Sequence, residues 1–119
     1  MEAQATTDLL SLNDVAELTF AKSPARDTGL AVWKRYLYDH RDHVHVIAKA
    51  GRLLGMIVAF NDNGNLKVVE MITLHPGIFQ EFIHRAFEIF GEFSSLTYHR
   101  RGKLKTISYK RLKGLTTYE

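Results

Sequence analysis

The sequence predicts an α+β domain, an antiparallel sheet with helices packed against it. Three observations lead there. Residues 43–76, HVHVIAKAGRLLGMIVAFNDNGNLKVVEMITLHP, read as a three-strand meander joined by two tight turns. Residues 77–90 place Ile78, Phe79, Phe82, Ile83, Ala86, Phe87 and Phe90 at spacings of three and four, a broad apolar helical face suited to crossing a sheet. Residues 94–99 and 104–109 then read as a final strand pair hinged at Arg101-Gly102, and two further helices precede the meander.

Taken in order, Met1 to Thr7 read as a frayed start to a single domain spanning residues 1–119. Asp8 or Ser11 can cap a first helix, with Leu12, Val15, Ala16, Leu18 and Phe20 as its stripe. Ser23-Pro24 ends it, because proline disfavours an α conformation in the residue before it. Asp27 or Thr28 begins a second helix through Leu30, Val32, Trp33, Tyr36 and Leu37. Val44, Val46 and Ala48 alternate along the first strand, and Ala50-Gly51-Arg52 makes the first turn. Residues 53–60 form an apolar run that fits a central strand covered on both faces. Asn61-Asp62-Asn63-Gly64-Asn65 is the strongest turn signal, since Asn, Asp and Gly tolerate positive φ. Pro76 stops the third strand and starts the crossing helix, which Gly91 ends.

Composition narrows the function classes. A 45% hydrophobic and 24% charged chain is that of an ordinary globular protein, and no window reaches the roughly 18 to 20 apolar residues that span a bilayer. No membrane partner is expected. The opening MEAQATTDLL is acidic and polar, unlike a secretory or mitochondrial leader, so a cytoplasmic location is expected. With no cysteine there is no disulfide, thiolate metal site or cysteine nucleophile. Net charge is only +3, yet Arg100, Arg101, Lys103, Lys105, Lys110, Arg111 and Lys113 put seven of sixteen basic residues into fourteen positions without an acid. That segment, with Tyr98 and Tyr109 interleaved, suits docking to an acidic protein or phosphate contacts with aromatic stacking. The competing account is an edge hairpin whose lysines discourage aggregation.

The order of elements resembles the GNAT-type acyltransferase fold. Gly51-Arg52-Leu53-Leu54-Gly55-Met56-Ile57-Val58 occupies the place of its "G.ivG" hairpin, and Val68 through Pro76 that of its strand ending in "..V.P". The chain is also similar to the toxin-activating lysine acyltransferases. Lys22-Ser23-Pro24-Ala25-Arg26 echoes their "SS-P-x-H" segment, residues 69–77 their "I-D-W-I-A-P-F-G" strand, and Gly102-Lys103-Leu104 their late "G-K-v". It resembles the small GNAT-like proteins of tailed phages too, which implies a phage-encoded virion or accessory component in the host cytoplasm or the particle.

The resemblance implies a coenzyme A pyrophosphate held by backbone amides in an R/Q-x-x-G-x-G/A loop. The matching His75-Pro76-Gly77-Ile78-Phe79-Gln80 has one glycine, a proline that removes a donor, and two large apolar side chains. No cofactor is expected on that ground. The toxin-activating enzymes also lack the loop and draw on acyl carrier protein. Their histidine base corresponds to Arg26, which stays protonated, and their aspartate to Glu70. Glu70 and Ser23 are therefore the candidate catalytic residues. The competing account makes Ser23-Pro24 a helix stop and Glu70 a solvated or paired acid.

His43 and His45, at i, i+2, would share a strand face, but no acid or histidine completes a recognised spacing, so no metal is expected. Phe79, Phe82, Phe87 and Phe90 read as core, not as an acyl pocket. The expected function is a catalytically reduced GNAT-like binding or assembly protein. Its partner surface is Arg100, Arg101, Lys103, Lys105, Tyr109, Lys110 and Arg111, meeting an acidic protein or assembly component. The alternatives are a lysine acyltransferase of the toxin-activating type using acyl carrier protein and, third, a nucleic-acid-binding accessory protein.

Overall fold

The computed structural model describes residues 11–100, 102–108 and 110–111, with Arg100 described by its backbone only. The expected frayed segment, residues 1–7, lies outside them, as do Arg101 and Tyr109. Among the described residues three α-helices, α1 (Leu12–Thr19), α2 (Leu30–Asp39) and α3 (Ile78–Phe90), pack on five strands, β1 (Val44–Lys49), β2 (Arg52–Asp62), β3 (Asn65–Thr73), β4 (Ser95–Arg100) and β5 (Lys103–Ser108). The fold is α+β.

Ser11 caps α1 in a capping box with Asp14, satisfying two of the amides a helix start leaves unpaired. The chain then makes a 3₁₀ turn over Phe20–Lys22. The second helix starts later than Asp27 or Thr28, because the amides of Thr28 and Gly29 both bond the Ala25 carbonyl in a turn. Gly29 is its N-cap.

The sheet order is β1-β2-β3-β4-β5. The expected wholly antiparallel sheet is corrected here: β3 and β4 are parallel, the other pairs antiparallel. Helix α3 returns the chain to the end where β3 began, so the next strand must run beside β3 in the same direction. Asn61 fixes that return. Its side-chain amide donates to the carbonyls of Phe90 (3.1 Å) and Glu92 (3.0 Å), while its Oδ1 accepts from the Gly64 amide (2.8 Å). The tip of the β2–β3 turn, with Asn63 and Gly64 at positive φ, is thereby tied to the end of α3.

Two cores lie on the two faces of the sheet. Under α3, Ile47, Ile57, Ala59, Leu66, Val68 and Leu96 meet Ile78, Phe82, Ile83 and Ala86. Under α1 and α2, Val46, Met56, Val58 and Ile72 meet Val15, Ala16, Trp33 and Leu37. Of the expected core phenylalanines, Phe82 is fully buried, while Phe79, Phe87 and Phe90 pack partly buried against the first cluster. The Trp33 indole N–H donates to Thr19 Oγ1 (2.9 Å), which donates on to the Val15 carbonyl (2.7 Å), so the one tryptophan enters the core with its polar atom satisfied. No described helix is long and apolar enough to cross a membrane.

Candidate functional site

The parallel pairing of β3 with β4 is short. It runs from Asn65 opposite Ser95 to Val68 opposite Tyr98 and stops. The cause is local: Val58 faces Glu70 and Ala59 faces Val68, so Val69 is an extra residue on β3. A bulge of this kind bends its strand and strengthens its twist. Here it turns β3 away from β4 where their ladder ends. The strands part around a cleft of about 1120 Å³ lined by Lys67, Glu70, Met71, Phe79, Tyr98, His99 and Leu104 among others.

Both faces of the sheet contribute. Tyr98 packs toward α3, its ring 5.9 Å from that of Phe79. Glu70, opposite Val58, lies on the face toward α2, as does Tyr36, whose ring stacks between Trp33 (5.3 Å) and His40 (4.2 Å). Asn65 closes one end of the cleft, its Oδ1 accepting from Ser95 Oγ and Thr97 Oγ1 (2.9 Å each).

Electrostatics single out Glu70. Burial pushes its carboxyl above the usual carboxylate range, and the charge of His99 pulls part of the way back. Burial likewise raises the Tyr36 phenol, and the Glu70 charge raises it further. Glu70, Tyr36 and His99 thus interact from three different elements. A half-desolvated carboxyl beside a phenol and an imidazole can hold a cationic group or move a proton.

The other sequence candidates fall elsewhere. Ser23 is fully buried, its Oγ donating to the Phe20 carbonyl (2.8 Å) and accepting from the Ala25 amide (3.2 Å). Its hydroxyl closes the turn after the 3₁₀ segment and does not line the cleft. Arg26 donates to the Ser23 carbonyl (3.2 Å). At the start of α3, Gly77 is the N-cap at φ 95°, ψ −1°, and the neighbouring Ile78 is buried against the sheet, its Cδ1 beside Gly55. Glycine is required there by the backbone alone, so a Gly77→Ala variant is strained whether or not an anion binds.

The basic segment is split. Lys103, Lys105, Lys110 and Arg111 are exposed, and Arg100 sits opposite Lys103 at the hairpin end. Among the described residues strand β5 is the edge of the sheet, and its residues 103–106 are exposed on both faces. Leu104, at 61% exposure, and Val69, at 43%, are apolar points on the rim of the cleft.

His43 and His45 do not share a strand face as expected. His43 belongs to a 3₁₀ turn, Arg41–His43, and lies 5.1 Å from the Phe60 ring, while His45 meets the edge of Phe90 at 4.8 Å. Among the described residues no three potential ligands gather to hold a metal ion.

Sequence reasoning missed Tyr36 and His99 as companions of Glu70. One signal was present. The apolar phase along β3 slips between Val68 and Met71, both turned toward α3, so one extra residue must lie between them. No family model matches this chain, and neither a curated protein nor a solved structure matches it.

Proposed function

We propose that the chain is a GNAT-like protein of reduced chemistry that binds an acidic partner through its C-terminal hairpin, as a binding or assembly component. The carrying observation is the bare edge: residues 103–106 stand exposed on both faces, with Lys103 and Lys105, and no acid occurs in β4 or β5. The order of two helices, meander, crossing helix and strand pair agrees with the GNAT resemblance. Reduced chemistry is supported by the start of α3, where one glycine, a proline and a buried isoleucine stand in place of a phosphate cradle. Calorimetry with acetyl-coenzyme A is expected to give no saturable binding at micromolar concentrations.

The deciding experiment replaces Arg100, Arg101, Lys103 and Lys105 by glutamine. Wild-type protein should capture its partner from the source cell at about 0.1 M salt and release it near 1 M, as the Debye length falls from about 10 Å to about 3 Å. The variant should capture nothing, and nuclease treatment separates a nucleic acid from a protein partner. Full capture by the variant at physiological salt overturns the reading.

A second reading rests on Glu70. A carboxyl raised by burial, beside His99 and Tyr36 in an open cleft, supports a lysine acyltransferase of the toxin-activating type, with Glu70 as the proton acceptor. Glu70→Gln should then abolish transfer from acyl carrier protein without unfolding the chain. Transfer that survives this change removes the analogy at its chemical centre.

A further inference from the structure

The edge strand specifies more than charge. Arg100 and Lys103 flank a two-residue turn and close the hairpin, so they form a hydrogen-bonded pair, and Lys105 and Ile107 follow in the same phase. The amides and carbonyls of Leu104, Thr106 and Ser108 therefore point away from β4. With β5 outermost in the sheet among the described residues, they form a row of donors and acceptors turned away from the hairpin.

The side chains alternate in step with that row. Lys105 faces Tyr98, on the side of the sheet toward α3, and Lys103 shares that side by alternation; Leu104 faces His99, on the side of Glu70. A strand laid against β5 would place every second side chain opposite a lysine and the one between beside exposed Leu104.

We propose that the β5 edge is a strand-addition site for an extended acidic peptide segment with carboxylates at i and i+2 and an apolar residue between them. This rests on the reading of the hairpin as the partner surface and names the form the partner takes there. The carboxylates meet Lys103 and Lys105, the apolar side chain covers Leu104, and the backbone pairs with Leu104, Thr106 and Ser108. A second copy of the chain meets like charges in two of its possible registers. Two-fold antiparallel pairing centred on Leu104 sets Lys103 opposite Lys105, and centring on Lys105 sets that lysine opposite itself. A nucleic acid would leave the backbone row unused and finds no aromatic side chain among the six residues of β5.

The test uses the full chain and a fluorescein-labelled peptide, Thr-Glu-Val-Glu-Val-Glu-Thr, read by anisotropy. Thr106→Pro keeps every charge and removes one outward donor, a change an edge strand tolerates where the N–H faces solvent. It is expected to keep the wild-type circular dichroism and to lose at least about tenfold in affinity. Lys103→Gln with Lys105→Gln should lose a similar factor. Two further peptides, N-methylated on odd or on even residues, probe the same bonds from the other side, and at least one should bind far more weakly. Unchanged affinity of Thr106→Pro and of both methylated peptides overturns strand addition while leaving charge docking of the hairpin intact. If Thr106→Pro unfolds, the methylated peptides decide alone. No binding of the unmodified peptide overturns the proposal, and self-association that Thr106→Pro abolishes would then assign the edge to a second copy. Tight binding of an oligonucleotide without peptide binding would assign it to nucleic acid.

Discussion

Strands β2 and β5 belong to one sheet but live in different surroundings. From Leu54 to Ala59 every residue of β2 is buried, because α3 covers one face and α1 with α2 the other. From Lys103 to Thr106 every residue of β5 is exposed, and only Ile107 reaches the core. The core beneath α1 and α2 draws on β1, β2 and β3 and on neither of the last two strands. The difference separates two tasks within one sheet. Strands clad on both sides hold the fold, while the last pair, covered by α3 on one face only, presents backbone edge, charge and a cleft at little structural expense. Substitutions should therefore divide sharply by location.

The largest effect is expected at Gly55, in the clad half. It sits at φ 154°, and a Cβ there would lie 2.0 Å from the Ile72 carbonyl oxygen and 2.6 Å from Ile78 Cδ1. The Ile72 contact is backbone, so the strand pair itself would have to shift. Gly55→Ala should cost roughly 3 to 5 kcal/mol, from strain and overpacking together. Trp33→Ala should cost a similar amount, about 3 to 5 kcal/mol, through the cavity and the lost indole hydrogen bond to Thr19 Oγ1. Urea unfolding measures both. Near-wild-type stability in either variant would break the division between clad and bare halves.

Next comes a pH effect, again in the clad half. Burial, with a smaller contribution from His43, lowers the pKa of His45 from 6.5 to about 4. Well above pH 6.5 the imidazole is neutral in both states and contributes no pH dependence. As pH falls from 6.5 toward 4, the unfolded chain takes up a proton that the folded chain refuses, so stability declines across that window. The loss should be roughly 2 to 3 kcal/mol, since each pKa unit corresponds to about 1.4 kcal/mol and part of the ring is solvated. His45→Leu should flatten the unfolding free energy between pH 6.5 and pH 4 relative to wild type. Parallel pH profiles for the two proteins would remove His45 as the cause.

Glu70, at the border of the two halves, should respond in the opposite sense. Its carboxyl is raised by burial, so ionisation opposes folding and the stability of the protonated form fades as pH rises through the folded pKa. Glu70→Gln should therefore unfold at a slightly higher temperature than wild type at neutral pH, with the gap closing in acid. A variant less stable at neutral pH would mean that the charged carboxylate is held by a favourable partner.

The legibility of the molecule follows the same division. Local chemistry could be read directly: Ser11 as one of two candidate caps with Asp8, the turn within Asn61–Asn65, the periodic apolar face of α3, the unbroken apolar run of β2. Each depends on neighbours within a few residues. The parallel approach of β4 to β3 depends on Asn61 tying the β2–β3 turn to the carbonyls that end α3, a contact between distant segments. The cleft was harder still. It needs an extra residue at Val69, whose only trace is a slip in the apolar phase, and it brings Glu70 and His99 together from two strands, with Tyr36 of α2 coupled to Glu70 from outside the lining. Glu70 was reached by resemblance, Ser23 by the same route, yet only Glu70 lines the cleft. Short motif echoes carry no information about which side chains share a space.

The smallest effects are expected on β5, and a matched pair of leucines measures the contrast. Leu66 on β3 is fully buried in the core under α3; Leu104 on β5 is 61% exposed. Leu66→Ala removes buried methyl groups and leaves a cavity beside Leu96 and Phe82, so it should cost roughly 3 kcal/mol. Leu104→Ala removes surface that water already reaches, and its cost should stay within about 0.5 kcal/mol, the usual range for exposed positions. Any larger loss would mean that Leu104 is covered in the folded chain and that the β5 edge is occupied in the isolated protein. Binding should reverse the ranking: Leu104→Ala weakens the acidic peptide, whereas a folded Leu66→Ala protein binds it as wild type does. One pair of substitutions, each scored by unfolding and by binding, thus tests whether stability and recognition reside in separate parts of one sheet.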